Sequence, residues 1–225
     1  MAALPLVELF GIDADNLARR KDLTGLGPAE KEVVAGLRPW AERVAPDLAR
    51  DFYDHQLGFK PTRALLEEVA GARGTSLAEL RAVLEGHQRA YFLDIFASAP
   101  DGWDLAYYER RLAIGRVHDR IDLPLKWYVG HYAKYQELVR RYLRAHFDDP
   151  AFLARAEEAI FRVLNYDMQA VADAYVLSVF ESMGLELTSI RPHAGSDRTE
   201  HVAEMKHRFR GALAEITRIV PLLRN

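Results

Sequence analysis

The chain contains no cysteine. That excludes disulfides, thiolate metal centres and covalent C-x-x-C-H cofactor attachment. Neither sign of charge dominates: 30 Lys and Arg stand against 33 Asp and Glu, a formal net charge of −3. A nucleic-acid-binding surface needs a basic excess that is missing here. No run approaches the ~18 consecutive apolar residues of a membrane span. The acidic start MAALPLVELFGIDAD has neither the basic segment nor the long apolar stretch of a signal peptide. A cytoplasmic location without membrane contact is the expectation. Strict period-two alternation and fixed-period repeats are also missing, so neither strands nor a solenoid is expected.

What remains is helical patterning across 225 residues, 49% of them hydrophobic and 28% charged. That length suits one large domain, or one domain with an appendage, around a sizeable core. A first helix is expected from Leu4 to about Arg20. Pro28-Ala29-Glu30 starts another, with proline in the first turn and an acidic residue behind it. Pro46 marks a corner, and the next helix stops at Gly58. A short helix follows Pro61. Ser76 with Glu79 reads as a capping box opening a helix whose apolar face runs Leu77, Leu80, Val83, Leu84, His87 and Tyr91. After the Pro100-Asp101 break come helices from Trp103 to about Ile121, Leu125 to Phe147, and Ala151 to about Leu187.

Arg191 to Ser196 is a composition break that reads as a linker. The expected organisation is a main domain over 1–187, a linker over 188–195 and a C-terminal helix over 196–225. Val202, Met205, Phe209, Leu213, Ile216, Val220 and Leu223 give that last helix a near-heptad apolar stripe, which asks for a partner helix.

The candidate chemistry centres on His118. It sits near the end of an apolar-faced helix, with no cysteine and no second close histidine. Such an imidazole suits the role of sole protein ligand to a planar metal cofactor that fills the rest of its own coordination sphere, as haem does. The alternative is a core histidine bonded to a backbone carbonyl, the commoner fate of a lone histidine.

The segment IGRVHDRIDLPLKWYVGHY, Ile114 through Tyr132, resembles the proximal-histidine signature of the globin-coupled sensors and protoglobins, approximately I-x-x-x-H-x-x-I-x-L-x-x-x-W-Y-x-G-x-Y. Ile114, His118, Ile121, Leu123, Trp127, Tyr128, Gly130 and Tyr132 fill it in register. More loosely, the similarity covers residues 5 to 185. It implies an all-α globin-like fold with an extra N-terminal helix, two long C-terminal helices for homodimerisation and an appended signalling helix. It also implies non-covalent haem b on His118, and reversible binding of O2 or another diatomic gas.

By the same resemblance, Phe52-Tyr53 is the distal pair, and the Tyr53 hydroxyl donates to the gas. Leu80, Val83, Leu84 and His87 form the facing wall, while Ile114, Ile121, Trp127 and Tyr128 enclose the proximal side. Val83 stands where some relatives carry threonine, which leaves Tyr53 as the only side-chain donor unless His87 reaches in. Tyr128 resembles a tyrosine thought to respond to ligation.

The tail around His207, Arg208, Phe209 and Arg210 loosely resembles the phosphoacceptor helix of sensor histidine kinases, with His207 as possible acceptor. No ATP-binding pattern follows it, so a sensor without enzymatic activity is expected, acting on a downstream signalling protein. Two rivals remain: a haem-free globin-like module that binds a protein partner, and a haem enzyme, for which no distal acid–base pair is evident. Glu204 and His207 form one E-x-x-H; a di-iron bundle needs a second copy that the sequence lacks.

Overall fold

In the computed structural model, residues 4–184, 195–203 and 207 are described, and among them every regular element is a helix. The nine helices through residue 184 are α1 (Leu6–Phe10), α2 (Ala14–Thr24), α3 (Pro28–Gly36), α4 (Arg38–Gly58), α5 (Lys60–Ala72), α6 (Leu77–Ala97), α7 (Leu105–Arg120), α8 (Leu125–Arg144) and α9 (Pro150–Ser182).

Most starts follow the local chemistry. Ser76 accepts the Glu79 N–H while the Glu79 carboxylate accepts the Ser76 N–H, a complete capping box. Asp104 and Asp149 cap α7 and α9 one way only, their carboxylates accepting the Tyr107 and Ala151 N–H groups. Two expectations need correction. The N-terminal helix is two helices, broken where Gly11 adopts a left-handed conformation and Asp13 caps α2. Pro46 is no corner. It lies inside α4, which loses one backbone bond there but keeps Val44, Ala45, Leu48 and Ala49 buried. The break falls earlier, between Gly36 and Pro39, where a second proline enters the first turn.

The core forms where α7 crosses α9 and α4 crosses α6. Trp40 packs edge-on against Phe92 and Phe96, each with ring centroids 5.9 Å apart. Gly115 lets α7 press onto Val171 and Ala174 of α9. The carboxylate of Glu109 on α7 accepts the free Leu6 and Val7 N–H groups at 2.8 and 2.7 Å, which anchors α1. α9 holds 33 residues, a rod of roughly 50 Å, shorter at its end than the expected limit near Leu187.

Of the expected linker, only Gly195 is described. The helical stretch after it docks on the main body: Arg20 pairs with Asp197 and, at 2.8 Å, with Asp173 of α9. The Thr199 hydroxyl also donates to Asp173 at 3.2 Å. Most of the near-heptad stripe and residues 208–225 lie outside the described residues; His207 is helical and exposed.

Candidate functional site

His118 lies in the last turn of α7, and the chain reverses directly behind it. Asp122 takes a left-handed conformation with φ 56°, one that Asp tolerates better than most residues. This lets the Leu123 N–H return to the His118 carbonyl at 3.1 Å. Tyr175 of α9 donates to the Leu123 carbonyl at 2.6 Å, fixing where α8 begins. The imidazole Nδ1 lies 2.8 Å from the Ile114 carbonyl, which can only accept, so Nδ1 carries the proton and Nε2 keeps the lone pair. Burial holds the ring's pKa below its ordinary value, against the pull of that carbonyl, so the imidazole is neutral at pH 7. The Tyr128 ring packs edge-on against it, centroids 4.9 Å apart.

His118 opens on a cavity of about 390 Å³ walled by α4, α5, α6, α7 and α8. Phe52, Tyr53, Leu80, Leu84, His87, Ile114, Ile121 and Tyr128 line it with His118, as the sequence suggests. Two expected residues do not. Val83 is 51% exposed, because Leu80, Leu84, His87 and Tyr91 form one face of α6 and Val83 falls beside it. Trp127 turns away to pack on Phe59 at 5.0 Å, under the Lys126 ammonium.

The Tyr53 hydroxyl has no hydrogen-bond partner among the described residues, and burial raises its pKa far above the ordinary value, with Glu85 adding to the rise. It is therefore a neutral donor. His87 reaches the cavity from an exposed position.

Several lining residues were missed by the sequence reading. Gln56 is 3% exposed, and neither its amide nitrogen nor its amide oxygen has a partner among the described residues. Its signal was available: it lies three residues beyond Tyr53, on the same helix face. Arg73 is the only Lys or Arg of the lining and makes no ion pair among the described residues. His131 meets the Thr62 hydroxyl at 3.4 Å, its pKa pushed down to about 4 by burial, then by His55 and His118.

A polar chain leads out of the cavity. The Tyr128 and Tyr132 hydroxyls lie 3.2 Å apart, and those of Tyr132 and Tyr91 3.3 Å apart. Tyr91 donates to Asp167 of α9 at 2.8 Å, as does Tyr107 at 2.7 Å. The Arg111 guanidinium, fully buried, pairs with the same carboxylate at 3.1 Å. Burial raises the Asp167 pKa against the pull of Arg111 and the two hydroxyls.

Among the described residues no three His, Cys, Asp or Glu side chains cluster to hold a bare metal ion. A metal on His118 has to bring its other ligands with it. An apolar slot, one neutral nitrogen donor and a rim guanidinium for carboxylate groups fit a haem-type cofactor.

The protoglobin family model matches residues 13–179. The heme-based aerotactic transducer HemAT of Halobacterium salinarum is 27% identical over 197 residues, covering 82% of this chain. The chain spans only 37% of that relative's length. Among solved structures, the globin domain of the Geobacter sulfurreducens globin-coupled sensor superposes with a TM-score of 0.58 at 21% identity, over 70% of this chain and 96% of that one. With the family match running from α2 through most of α9 and a globin-like fold around the cavity, this chain belongs to the protoglobin family.

Proposed function

We propose that the chain is a haem-based gas-sensing domain, with b-type haem held by Nε2 of His118 and O2 as the ligand under Tyr53. The observation that carries the reading is a neutral imidazole with a free Nε2, opening on an apolar cavity whose Tyr53 hydroxyl is unpartnered. Haem supplies an iron centre that binds diatomic gases reversibly. The protein's part is to orient His118 through Ile114, exclude water with Phe52, Leu80, Leu84, Ile114 and Ile121, and pair Arg73 with the cofactor's carboxylates. Tyr53 donates to the partial negative charge on bound O2, a contact worth about 1–3 kcal/mol.

The output route this reading favours starts at Tyr128, which touches His118, and follows the hydroxyl chain to Asp167 on α9. Six residues further along α9, Asp173 holds Arg20, which also holds Asp197 of the segment beyond residue 194. A small rotation of α9 therefore reaches the chain's C-terminal portion. Two packings of that contact would make the bistable element that signalling needs. Homodimerisation belongs to the same proposal. Val176, Val179 and Met183 stand 40%, 56% and 68% exposed along the end of α9, an apolar stripe that a second copy would cover. A monomer mass by light scattering at micromolar concentration would count against it. A histidine kinase is the output suggested by the resemblance at His207. No described helix is long and apolar enough to cross a membrane.

The test is an absorption spectrum of haem-supplied protein, before and after dithionite and then in air, beside His118→Ala. A Soret band that shifts reversibly with O2 and is lost or altered in the variant is expected. No Soret band under haem-replete conditions refutes the reading and leaves a globin-shaped module that binds a protein partner.

A further inference from the structure

We propose that Gln56 is a second hydrogen-bond donor to the bound gas, acting with Tyr53 to favour O2 over CO. This rests on the haem-sensor reading above. The cavity's other polar groups are largely committed elsewhere. Tyr91, Tyr128 and Tyr132 are tied to one another and to Asp167, and Thr62 meets His131. Tyr53, Gln56 and the buried Tyr135 hydroxyl remain without a hydrogen-bond partner among the described residues, and all three line the cavity. Of these, Tyr53 and Gln56 lie three residues apart on α4, and Gln56 alone leaves both a donor atom and an acceptor atom unpaired.

A buried amide left unpaired is a cost that folds seldom keep. Leucine would fill the same space without that cost, so the amide is explained by something that occupies the cavity. The direction of the bond follows from charge. Bound O2 is partly negative at its outer atom and takes donors, and the amide nitrogen offers two N–H groups. CO carries little charge there and gains little. Tyr53 lies one turn away, so both donors come from one rigid helix and need little ordering when the gas arrives.

Gln56→Leu and Gln56→Glu separate the possibilities. Haem uptake is measured first, by Soret absorbance per chain, and then O2 and CO dissociation by stopped flow. Both variants are expected to load haem as the parent does. O2 should leave about five- to tenfold faster from Gln56→Leu, the size of one lost neutral hydrogen bond, and at least as fast from Gln56→Glu, whose carboxylate cannot donate. CO dissociation should change less than about twofold. The haem-free Gln56→Leu protein should unfold at higher urea than the parent, because an unsatisfied amide has been removed. Unchanged O2 dissociation in both haem-loaded variants overturns this inference alone. So does loss of haem uptake in Gln56→Leu beside a normally loaded parent, since it would assign the amide to the cofactor. A parent without a Soret band overturns the sensor reading itself.

Discussion

Gly115 is the position where a single methyl group should cost most, and the cost can be worked from geometry. A Cβ there would lie 2.6 Å from the Ala174 Cβ, 3.0 Å from the Val171 Cα and 3.4 Å from the Val171 carbonyl oxygen. These neighbours are helix backbone and a methyl fixed to it, so nothing can swing aside. Gly115→Ala gains about 1 kcal/mol of helix propensity. Overpacking typically costs about 1–3 kcal/mol, and a backbone contact belongs at the upper end. The net expectation is a loss of about 1–2 kcal/mol, or roughly 2–8 °C in Tm for a domain of this size. Ala174→Gly removes the nearest contact, so the double variant should recover at least about 1 kcal/mol relative to the sum of the singles. Urea unfolding followed by circular dichroism reads all four proteins. A Gly115→Ala midpoint at or above the parent's with unchanged slope, or strict additivity of the pair, would refute the close-approach argument. His118 lies three residues further on, so under the sensor reading the same variant should also disturb the Soret band.

Two further predictions follow from buried charge. Arg111 pairs with Asp167 and Asp94, each at 3.1 Å, and stacks on Tyr91 and Tyr107 at 4.4 and 4.1 Å. Arg111→Met should cost about 3–5 kcal/mol by stranding the Asp167 carboxylate, and adding Asp167→Leu should recover much of it; no recovery in thermal melts would mean the stacking matters more than the charge. His131 has its pKa lowered from 6.5 to about 4, so the unfolded chain binds a proton that the folded protein refuses. Its contribution is complete above pH 6.5 and is lost as pH falls from 6.5 towards 4, by about 1–2 kcal/mol once solvent screening of this half-buried ring is allowed for. Buried His118 acts in the same direction. His131→Asn should flatten that acid slope in haem-free protein, and an unchanged slope would place the titration elsewhere.

Local signals carried over well into the fold. The Ser76–Glu79 capping box and Pro28 at a helix start are satisfied within a few residues of chain, so their chemistry is readable in the string. His118, Ile114 and Ile121 share the cavity because their spacing keeps them near one face of a single helix end. Pro46 misled because a proline in a buried helix loses one bond while packing on both sides holds the helix together. Val83 misled because an apolar residue at the edge of a stripe turns to the cavity or to solvent according to how the whole helix is rotated.

The sequence by itself determined that this is an all-helical protein, where most helices begin, and which histidine carries the candidate chemistry. Those properties depend on backbone periodicity, caps and a motif contained in nineteen consecutive residues. Only the tertiary structure decided that Gln56 is buried without a partner among the described residues, that Trp127 leaves the cavity, and that Asp167 collects four tyrosines and an arginine through direct and relayed hydrogen bonds. Each of these depends on helix rotation and on groups brought together from distant parts of the chain. Burial and partnership are properties of the packed assembly, which no local stretch encodes.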